Sequence, residues 1–144
     1  MIKVSSNLWV GNSSDGQSAK VDCVLNVARD LHIKRGYPDI EYMQVGMVDG
    51  PGNLLSAYYA AVLSLATMMK SGKKVLVHCH EGKSRSMAVA VMYLRLTIGM
   101  EWDTLLSMIR ESNDNDIPEP HSAHKKAFYS IDWEMLAKVV NGGE

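Results

Sequence analysis

The sequence predicts an α/β domain in which a small, mostly parallel twisted sheet of about four or five strands is flanked by helices. Strand-like segments come early in the chain, whereas the last third has helical periodicity only. Residues 75–77 form a short apolar strand that leads directly into an apolar helix. With 144 residues, the chain is long enough for one domain with a hydrophobic core and too short for two. A single domain over residues 1–144 is therefore expected.

The early strands are indicated by alternation and by apolar content. Residues 1–11 alternate weakly around a turn signal at residues 5–7, which predicts two short strands. Residues 21–27 are almost all apolar, as expected of a strand buried on both faces. Residues 40–45 are a further strand candidate. Residues 28–39 are charged and contain glycine and proline, so a loop or a short helix is expected there.

Four segments of the chain are predicted to be helices, three from amphipathic periodicity and residues 87–98 because they are apolar on almost every side, as in a deeply buried helix. They are residues 54–70, 87–98, 101–110 and 122–140. Asn53 is a candidate N-cap for the first helix, and Gly72 and Gly99 stand where the first and second helices need C-terminal caps. The last helix is expected to bury one apolar face. The members of that face are Ala127, Phe128, Ile131, Met135 and Val139.

The composition limits the classes of function. A net charge of −1 and a pI near 6.5 argue against a dedicated nucleic-acid or membrane-surface binder. The N-terminus has no signal-peptide pattern, and no apolar stretch is long enough to span a membrane. The two cysteines, Cys23 and Cys79, do not suggest a disulfide framework. We therefore expect a soluble, cytoplasmic protein in which Cys23 fills the core; a redox pairing of Cys23 with Cys79 is the alternative.

Residues 77–86, Val-His-Cys-His-Glu-Gly-Lys-Ser-Arg-Ser, join the apolar strand to the apolar helix. The first N–H groups of that helix have no partner within it, and together with the helix dipole they form an anion site. Gly82 allows the loop to wrap its own N–H groups around the same point, and the planar guanidinium of Arg85 can bind two oxygens at once. Cys79 begins this loop, and thiolates form readily at helix N-termini and beside cations. The segment predicts a cysteine nucleophile that faces a bound phosphate-like dianion.

The pattern His78-Cys79, five residues, Arg85-Ser86 resembles the signature of the cysteine-based protein tyrosine phosphatases, and the short chain looks most like their dual-specificity branch. The resemblance implies a protein tyrosine phosphatase-like fold, a phosphocysteine intermediate on Cys79, phosphate binding by Arg85 and a hydroxyl on Ser86 that eases departure of the thiolate. It also implies that His78 tunes Cys79 from behind, and that neither a metal nor another cofactor takes part. The loop residues implied to surround the substrate are His80, Glu81, Gly82, Lys83, Ser84 and Arg85.

The same resemblance supplies a general acid. Family members carry an aspartate on a loop about thirty residues before the cysteine, because an alkoxide or phenolate leaves poorly unless it is protonated. Asp49 occupies that place and is followed by Gly50-Pro51-Gly52. Asp39 is the alternative, although it precedes a strand-like segment. The resemblance extends over roughly residues 2–140.

Three other features of the sequence suggest sites and are set aside. Gly82-Lys83-Ser84 ends like a nucleotide-binding P-loop, but that pattern needs a glycine at position 77, which is valine. His78-Cys79-His80 would point to alternate faces of a strand and therefore do not form a metal site. His121 and His124 are expected at the surface rather than around a metal ion.

We expect a metal-independent phosphatase that acts on phosphotyrosine and on phosphoserine or phosphothreonine in a phosphorylated protein, through a shallow pocket. Lys83 and His80 leave open a more highly charged, non-protein substrate, such as a phosphoinositide or an RNA 5′-phosphate. A phosphoprotein-binding module without turnover is a further alternative, against which intact Cys79, Arg85 and Asp49 argue. The sequence determines neither the physiological substrate nor the oligomeric state.

Overall fold

The computed structural model describes residues 1–31, 40–114 and 117–142. The strands are β1 Ile2–Ser5, β2 Leu8–Gly11, β3 Cys23–Ala28, β4 Glu41–Met47 and β5 Val75–His78. The helices are α1 Ser13–Ser18, α2 Leu55–Lys70, α3 Arg85–Ile98, α4 Trp102–Asn113, α5 Ser122–Phe128 and α6 Trp133–Val140.

The five strands form one sheet in the order β1-β2-β5-β3-β4. β1 pairs antiparallel with β2, and every other neighbouring pair is parallel. All residues of β3 and β5 are buried, which explains their nearly continuous apolar sequences. Because β2, β3, β4 and β5 run in the same direction, the segments that follow them meet at one edge of the sheet. The predicted α/β fold with a mostly parallel sheet is confirmed.

The two faces of the sheet are covered unequally. Helices α2 and α3 pack on one face, where Val75 and Val77 join the main hydrophobic core. Leu76 points to the opposite face and packs in a smaller cluster. Helix α1 covers that second face closely, since a Cβ on Gly16 would lie 2.5 Å from Nε2 of the His78 ring. The small residue therefore lets α1 pack behind the C-terminal end of β5.

The helical segments predicted in the middle of the chain are confirmed, with small shifts at their ends. Gly99 caps α3 in the left-handed conformation, with φ 76°, and Gly72, with φ 73°, follows the end of α2. Helix α4 continues to Asn113, past its predicted end. Its buried face consists of Trp102, Leu105, Leu106 and Ile109.

The segment 122–140 was predicted to be one helix, and this prediction is wrong. Helix α6 begins after Asp132, whose side chain accepts a hydrogen bond from the Met135 N–H group at 3.0 Å and so provides a second N-cap. The break changes the helical phase. Met135 and Val139 are therefore exposed, and Leu136 is buried in their place.

Asn53 does not cap α2, contrary to the sequence-based expectation. Its side chain accepts a hydrogen bond from the Val48 N–H group at 2.9 Å and donates one to the Val48 carbonyl at 2.8 Å. Leu54 takes the N-cap position without a side-chain hydrogen bond. Asn53 instead braces the loop that carries Asp49. Of the segment 28–39, residues 32–39 lie outside the described residues, so the alternative acid Asp39 is not placed.

Candidate active site

The strand-to-helix turn that the sequence marks as an anion site is formed by residues 79–84, between β5 and α3. Two backbone hydrogen bonds tie it to the end of β2 and to the start of α1. The Cys79 N–H group donates to the Gly11 carbonyl at 3.4 Å, and the Ser13 N–H group donates to the His80 carbonyl at 3.1 Å. The turn is thereby fixed against a neighbouring strand of the sheet. The convergence of its own N–H groups on one point stays a prediction.

Gly82 meets two separate constraints. Its φ of 74° lies in the left-handed region, which residues with a Cβ adopt only at a cost. A Cβ at this position would also lie 2.6 Å from the carbonyl carbon of Gly11 and 2.7 Å from its oxygen. Both the conformation of the turn and its close approach to β2 therefore require glycine.

Cys79 is almost fully buried, with 2% of its surface exposed. Its Sγ lies 3.2 Å from the hydroxyl oxygen of the buried Ser86 in the first turn of α3. A hydroxyl can donate a hydrogen bond to a thiolate, so Ser86 is positioned to stabilise the charged form of Cys79. Behind the cysteine, the fully buried His78 has Nδ1 3.3 Å from the Cys79 carbonyl oxygen.

Arg85 is buried at the start of α3 and is held by two acceptors. Its Nη1 donates to Asp30 Oδ1 at 2.7 Å and to the Met47 carbonyl at 3.0 Å. Asp30 follows β3, and its side chain is 61% exposed. The hydrogen bond from Arg85 holds the pKa of Asp30 below its usual value, so Asp30 is ionised at neutral pH. The guanidinium is thus oriented by a carboxylate that the sequence reasoning did not identify.

One pocket of about 360 Å³ brings most of the predicted site residues together with Asp30. Its lining residues are Asp30, Asp49, Cys79, His80, Glu81, Lys83, Ser84 and Arg85. Gly82 belongs to the back of the loop, where it contacts β2. His80, Glu81 and Lys83 are exposed at the pocket. The pocket therefore has both cationic and anionic groups around the cysteine.

Asp49 lies two residues beyond β4, at the same edge of the sheet as Cys79. Ser84 donates its hydroxyl hydrogen to Asp49 Oδ1 at 2.5 Å, which connects the aspartate to the turn before α3. The same Oδ1 lies 3.1 Å from Nε2 of His124 in α5. Asp49 is therefore held from two sides by groups remote in sequence.

The expectation that His124 lies at the surface is wrong, because its side chain is fully buried. It lies between Asp49 and Tyr58 of α2, whose hydroxyl oxygen is 2.7 Å from His124 Nδ1. The sequence contained a signal for this burial, since His124 precedes the buried Phe128 by four residues and shares its helix face. His121 remains exposed, as expected.

Asp30 also had a signal in the sequence. It lies two residues beyond β3, just as Asp49 lies two residues beyond β4, and Cys79 directly follows β5. In parallel sheets, the crevice beyond the carboxyl ends of the strands is the usual place for a binding site. The charged segment after β3 is predicted to be a loop or a short helix, and the sequence alone assigns no role to its first acidic residue.

Two observations concern membrane-spanning helices and metal sites. In the ranges 1–31, 40–114 and 117–142, no helix is long and apolar enough to cross a membrane. Within the same ranges, no group of three histidine, cysteine, aspartate or glutamate side chains is arranged to hold a metal ion.

The family model and the relatives found by comparison with known sequences belong to the same protein family. A family model described as "Dual specificity phosphatase, catalytic domain" matches residues 8–131. Dual specificity protein phosphatase Mpk3 of Drosophila melanogaster is 31% identical, over 79% of this chain and 30% of the fly protein. Dual specificity protein phosphatase 1B of Arabidopsis thaliana is 28% identical, over 82% of this chain and 74% of the plant protein. The chain therefore spans less than a third of the length of the fly relative.

Comparison with solved structures gives the same fold. The crystal structure of DUSP15 superimposes with a TM-score of 0.84 and 19% sequence identity, covering 99% of this chain and 95% of that one. At this level of identity the likeness concerns the fold alone, whereas the family model matches most of the sequence. The chain belongs to the dual specificity phosphatase family, through its catalytic domain.

Proposed function

We propose that this chain is a cysteine-dependent protein phosphatase that hydrolyses phosphotyrosine and phosphoserine or phosphothreonine monoesters. The observation that carries the proposal is that Cys79, Arg85 and Asp49 line one pocket of about 360 Å³. A nucleophile, a planar cation and a carboxyl group are the three functions that phosphoryl transfer through a covalent intermediate needs. Family membership supports the same activity.

In the first step, the Cys79 thiolate attacks phosphorus in line with the leaving oxygen. The S–P bond forms as the P–O bond breaks, and the protonated carboxyl of Asp49 gives its proton to the departing alkoxide or phenolate. Arg85 binds the equatorial phosphate oxygens, on which charge is spread in the transition state. Its contacts with Asp30 and the Met47 carbonyl both use Nη1, and among the described residues no hydrogen bond engages Nη2 or Nε, so these groups are assigned to the phosphate.

In the second step, water attacks the phosphocysteine and the S–P bond breaks. The Asp49 carboxylate, formed in the first step, accepts a proton from that water. Ser86 Oγ, 3.2 Å from the Cys79 sulfur, donates a hydrogen bond that stabilises the departing thiolate. Inorganic phosphate leaves, and the free enzyme is regenerated with no metal or other cofactor.

The charges around the pocket support a phosphorylated protein as the substrate. His80 and Lys83 are exposed at the pocket, which would suit a highly charged phosphoinositide or RNA 5′-phosphate. Asp30, Glu81 and Asp49 line the same pocket, and their carboxylates oppose the binding of several phosphates at once. A single phosphoryl group on a side chain suits this balance better.

A reducing compartment, such as the cytoplasm, is the proposed location. Both Cys23 and Cys79 are free thiols, and free thiols are typical of reducing compartments. Cys23 is fully buried on β3, in keeping with a packing role rather than a redox pairing with Cys79.

The test is hydrolysis of 4-nitrophenyl phosphate, with a metal chelator present, by the wild type and by Cys79→Ser and Asp49→Ala. Cys79→Ser should lose at least about 10⁴-fold in activity, because serine is a far weaker nucleophile here. Cys23→Ser is the matched control, since it removes a buried thiol away from the pocket, and should retain activity. Full activity in Cys79→Ser, or loss of wild-type activity with chelator alone, would contradict the mechanism.

Substrate class is tested with phosphotyrosyl, phosphoseryl and phosphothreonyl peptides beside a phosphoinositide and an RNA 5′-phosphate. All three peptides should be hydrolysed, and more efficiently than the non-protein substrates. A strong preference for aryl over alkyl phosphates would argue against dual specificity. Phosphopeptide binding by the wild type without turnover would instead favour a binding module.

A further inference from the structure

Asp49, Tyr58, Ser84 and His124 form a connected group, called here the acid assembly. His124 lies at its centre, with Nε2 3.1 Å from Asp49 Oδ1 and Nδ1 2.7 Å from the Tyr58 hydroxyl oxygen. Asn53 Nδ2 lies 3.4 Å from the same hydroxyl oxygen. The His124 and Tyr58 rings meet edge to face, with centroids 5.8 Å apart. This buried chain ends on the carboxyl group to which we assign proton transfer.

The donors and acceptors in this chain fit one direction. The Asn53 amide has hydrogens and therefore donates to the Tyr58 oxygen. The Tyr58 hydroxyl then donates to Nδ1 of a neutral His124, whose other nitrogen carries the hydrogen and donates to Asp49 Oδ1. Tyr58 and His124 each accept one hydrogen bond and donate one, whereas Asn53 only donates and Asp49 only accepts. The chain therefore selects the tautomer of His124 with hydrogen on Nε2.

Ser84 supports the same oxygen from the other side. Its hydroxyl accepts a hydrogen bond from the His121 N–H group at 2.9 Å and donates to Asp49 Oδ1 at 2.5 Å. Both donors to Asp49 thus act on Oδ1. Among the described residues no hydrogen bond is made to Oδ2, which leaves this oxygen to carry the transferable proton, in a residue that lines the pocket.

The groups that face His124 are Asp49 from the loop after β4, Tyr58 from α2, Arg85 from α3 and His121 from α5. Burial lowers the pKa of His124, and the nearby charges of His121 and Arg85 lower it further, although Asp49 opposes them. Burial raises the pKa of Asp49, but the hydrogen bonds from Ser84 and His124 outweigh it, and the pKa lies below its usual value. A neutral His124 beside an ionised Asp49 is the state that these directions favour in the free enzyme at neutral pH. Asp49 therefore acts as the acid only in the fraction of molecules whose carboxylate has taken up a proton from solvent, and this fraction rises as the pH falls.

We propose that His124, held in one tautomer by Tyr58, is a positioning residue that fixes Oδ1 of Asp49 so that Oδ2 presents the proton to the leaving group. The proposal rests on the proposed role of Asp49 as the general acid. His124 acts only through Asp49, because its side chain is buried and does not line the pocket. Its removal should therefore affect only those substrates whose leaving group needs a proton.

The experiment compares kcat/KM for a phosphoseryl peptide, with its poor alkoxide leaving group, and for 4-nitrophenyl phosphate, with its good one. Asp49→Asn should lower the phosphoseryl value about 10²–10⁴-fold, the usual size of general-acid catalysis, and the aryl value much less. His124→Phe should lower the phosphoseryl value about 10- to 100-fold, the size expected for losing a hydrogen bond to a charged group. It should change the aryl value less than about threefold.

Three further variants separate positioning from a general structural effect. His124→Gln keeps an N–H group near the position of Nε2 and should recover most of the phosphoseryl activity. His124→Phe combined with Asp49→Asn should be no slower than Asp49→Asn alone, since the two residues act through one proton. Tyr58→Phe should lose about two- to fivefold with the phosphoseryl peptide, whereas Tyr93→Phe, a half-buried tyrosine of α3 remote from the pocket, should lose nothing.

The pH profile of kcat/KM gives an independent readout. Loss of the His124 hydrogen bond should raise the pKa of Asp49, so the alkaline limb for the phosphoseryl peptide moves to higher pH in His124→Phe while its plateau falls. A purely structural defect would lower the plateau without moving the limb.

Two outcomes would overturn the inference: equal losses on both substrates in His124→Phe and His124→Gln, or a His124 effect that multiplies that of Asp49→Asn. If His124→Phe does not fold, Tyr58→Phe and His124→Gln still test the inference. A loss in Tyr58→Phe that is confined to the phosphoseryl peptide supports the hydrogen-bond chain through His124, and the absence of such a loss contradicts it. If Asp49→Asn leaves phosphoseryl hydrolysis unchanged, the proposed acid role itself fails, and the inference fails with it.

Discussion

The catalytic loop, residues 79–86, and the acid assembly meet at the same pocket, which Asp49 and Ser84 of the assembly line, but the two regions are built in different ways. The catalytic loop is one continuous segment from the end of β5 into the first turn of α3, and the proposed nucleophile Cys79 and the cation Arg85 both come from it. The acid assembly joins four separate parts of the chain, and its Asp49–His124 contact spans 75 positions in the sequence. A local motif can be recognised from its spacing, whereas an assembly of this kind exists only once α2 and α5 have packed against the sheet.

Ser84 connects the two regions, because it precedes α3 and also donates to Asp49. The proposed nucleophile and the proposed acid are therefore connected through the Ser84 hydroxyl. The following variants test the loop and the acid side of the pocket separately, from the largest expected effect to the smallest.

Arg85→Lys should lower kcat/KM for 4-nitrophenyl phosphate about 10²–10³-fold, the cost of removing a transition-state donor. Lysine keeps the charge but cannot present a planar pair of N–H groups to the phosphate. Arg95→Lys, near the other end of α3, is the control; its guanidinium lies over Trp133 at 5.2 Å, and activity should be unchanged. A loss below tenfold in Arg85→Lys would mean that charge alone suffices.

Gly82→Ala should lower the free energy of unfolding by about 2–4 kcal/mol, through the left-handed φ and a Cβ that meets Gly11. Gly72→Ala is a matched comparison, because its φ of 73° is almost the same but nothing lies within 4 Å of the added Cβ. That variant should lose only about 1 kcal/mol. Urea unfolding of both variants measures the difference, and equal losses would show that the close approach to β2 has no energetic consequence.

Asp30→Asn should strengthen competitive inhibition by inorganic phosphate about three- to tenfold, the equivalent of about 1 kcal/mol. Asparagine removes a negative charge that faces the phosphate, and its amide oxygen can still accept the hydrogen bond from Arg85. Because Asp30 has a lowered pKa, its own titration does not contribute between pH 6 and pH 8, and the effect should grow as the phosphate dianion replaces the monoanion. Weaker inhibition in the variant would show that orienting Arg85 outweighs the repulsion.

His124→Phe should change the pH dependence of stability. Burial lowers the pKa of His124 in the folded chain, whereas an unfolded histidine titrates near pH 6.5. The unfolded chain therefore binds the proton first, and stability falls as the pH drops below about 6.5. Between pH 7.5 and pH 5.5 the wild type should lose up to about 1.4 kcal/mol more than His124→Phe. Asp49 titrates below this window, so parallel urea-unfolding curves would contradict the assignment.

Much of the fold was predictable because its signals are local. Apolar runs gave β3, β5 and α3, helical periodicity gave α2 and α4, and Gly99 marked the end of α3. The break in segment 122–140 was missed because apolar residues continue at helical spacing on both sides of Asp132. The aspartate was therefore not recognised as the N-cap of a second helix. Asn53 was misassigned because an asparagine before a helix can either cap the helix or brace the preceding loop, and the loop after β4 decides between them. The assignment of all 144 residues to one domain stays a prediction.

The sequence alone determined that Cys79, Arg85 and Ser86 belong to one strand-to-helix turn, because six or seven residues of chain leave little freedom in their relative placement. It also indicated Asp49, by resemblance. Only the tertiary structure decided that Asp30 orients Arg85 and that His124 is buried against Asp49. These contacts depend on which strands are neighbours and on how α5 packs. The members of each pair are far apart in the sequence, so the two side chains interact only after the fold has brought their segments together.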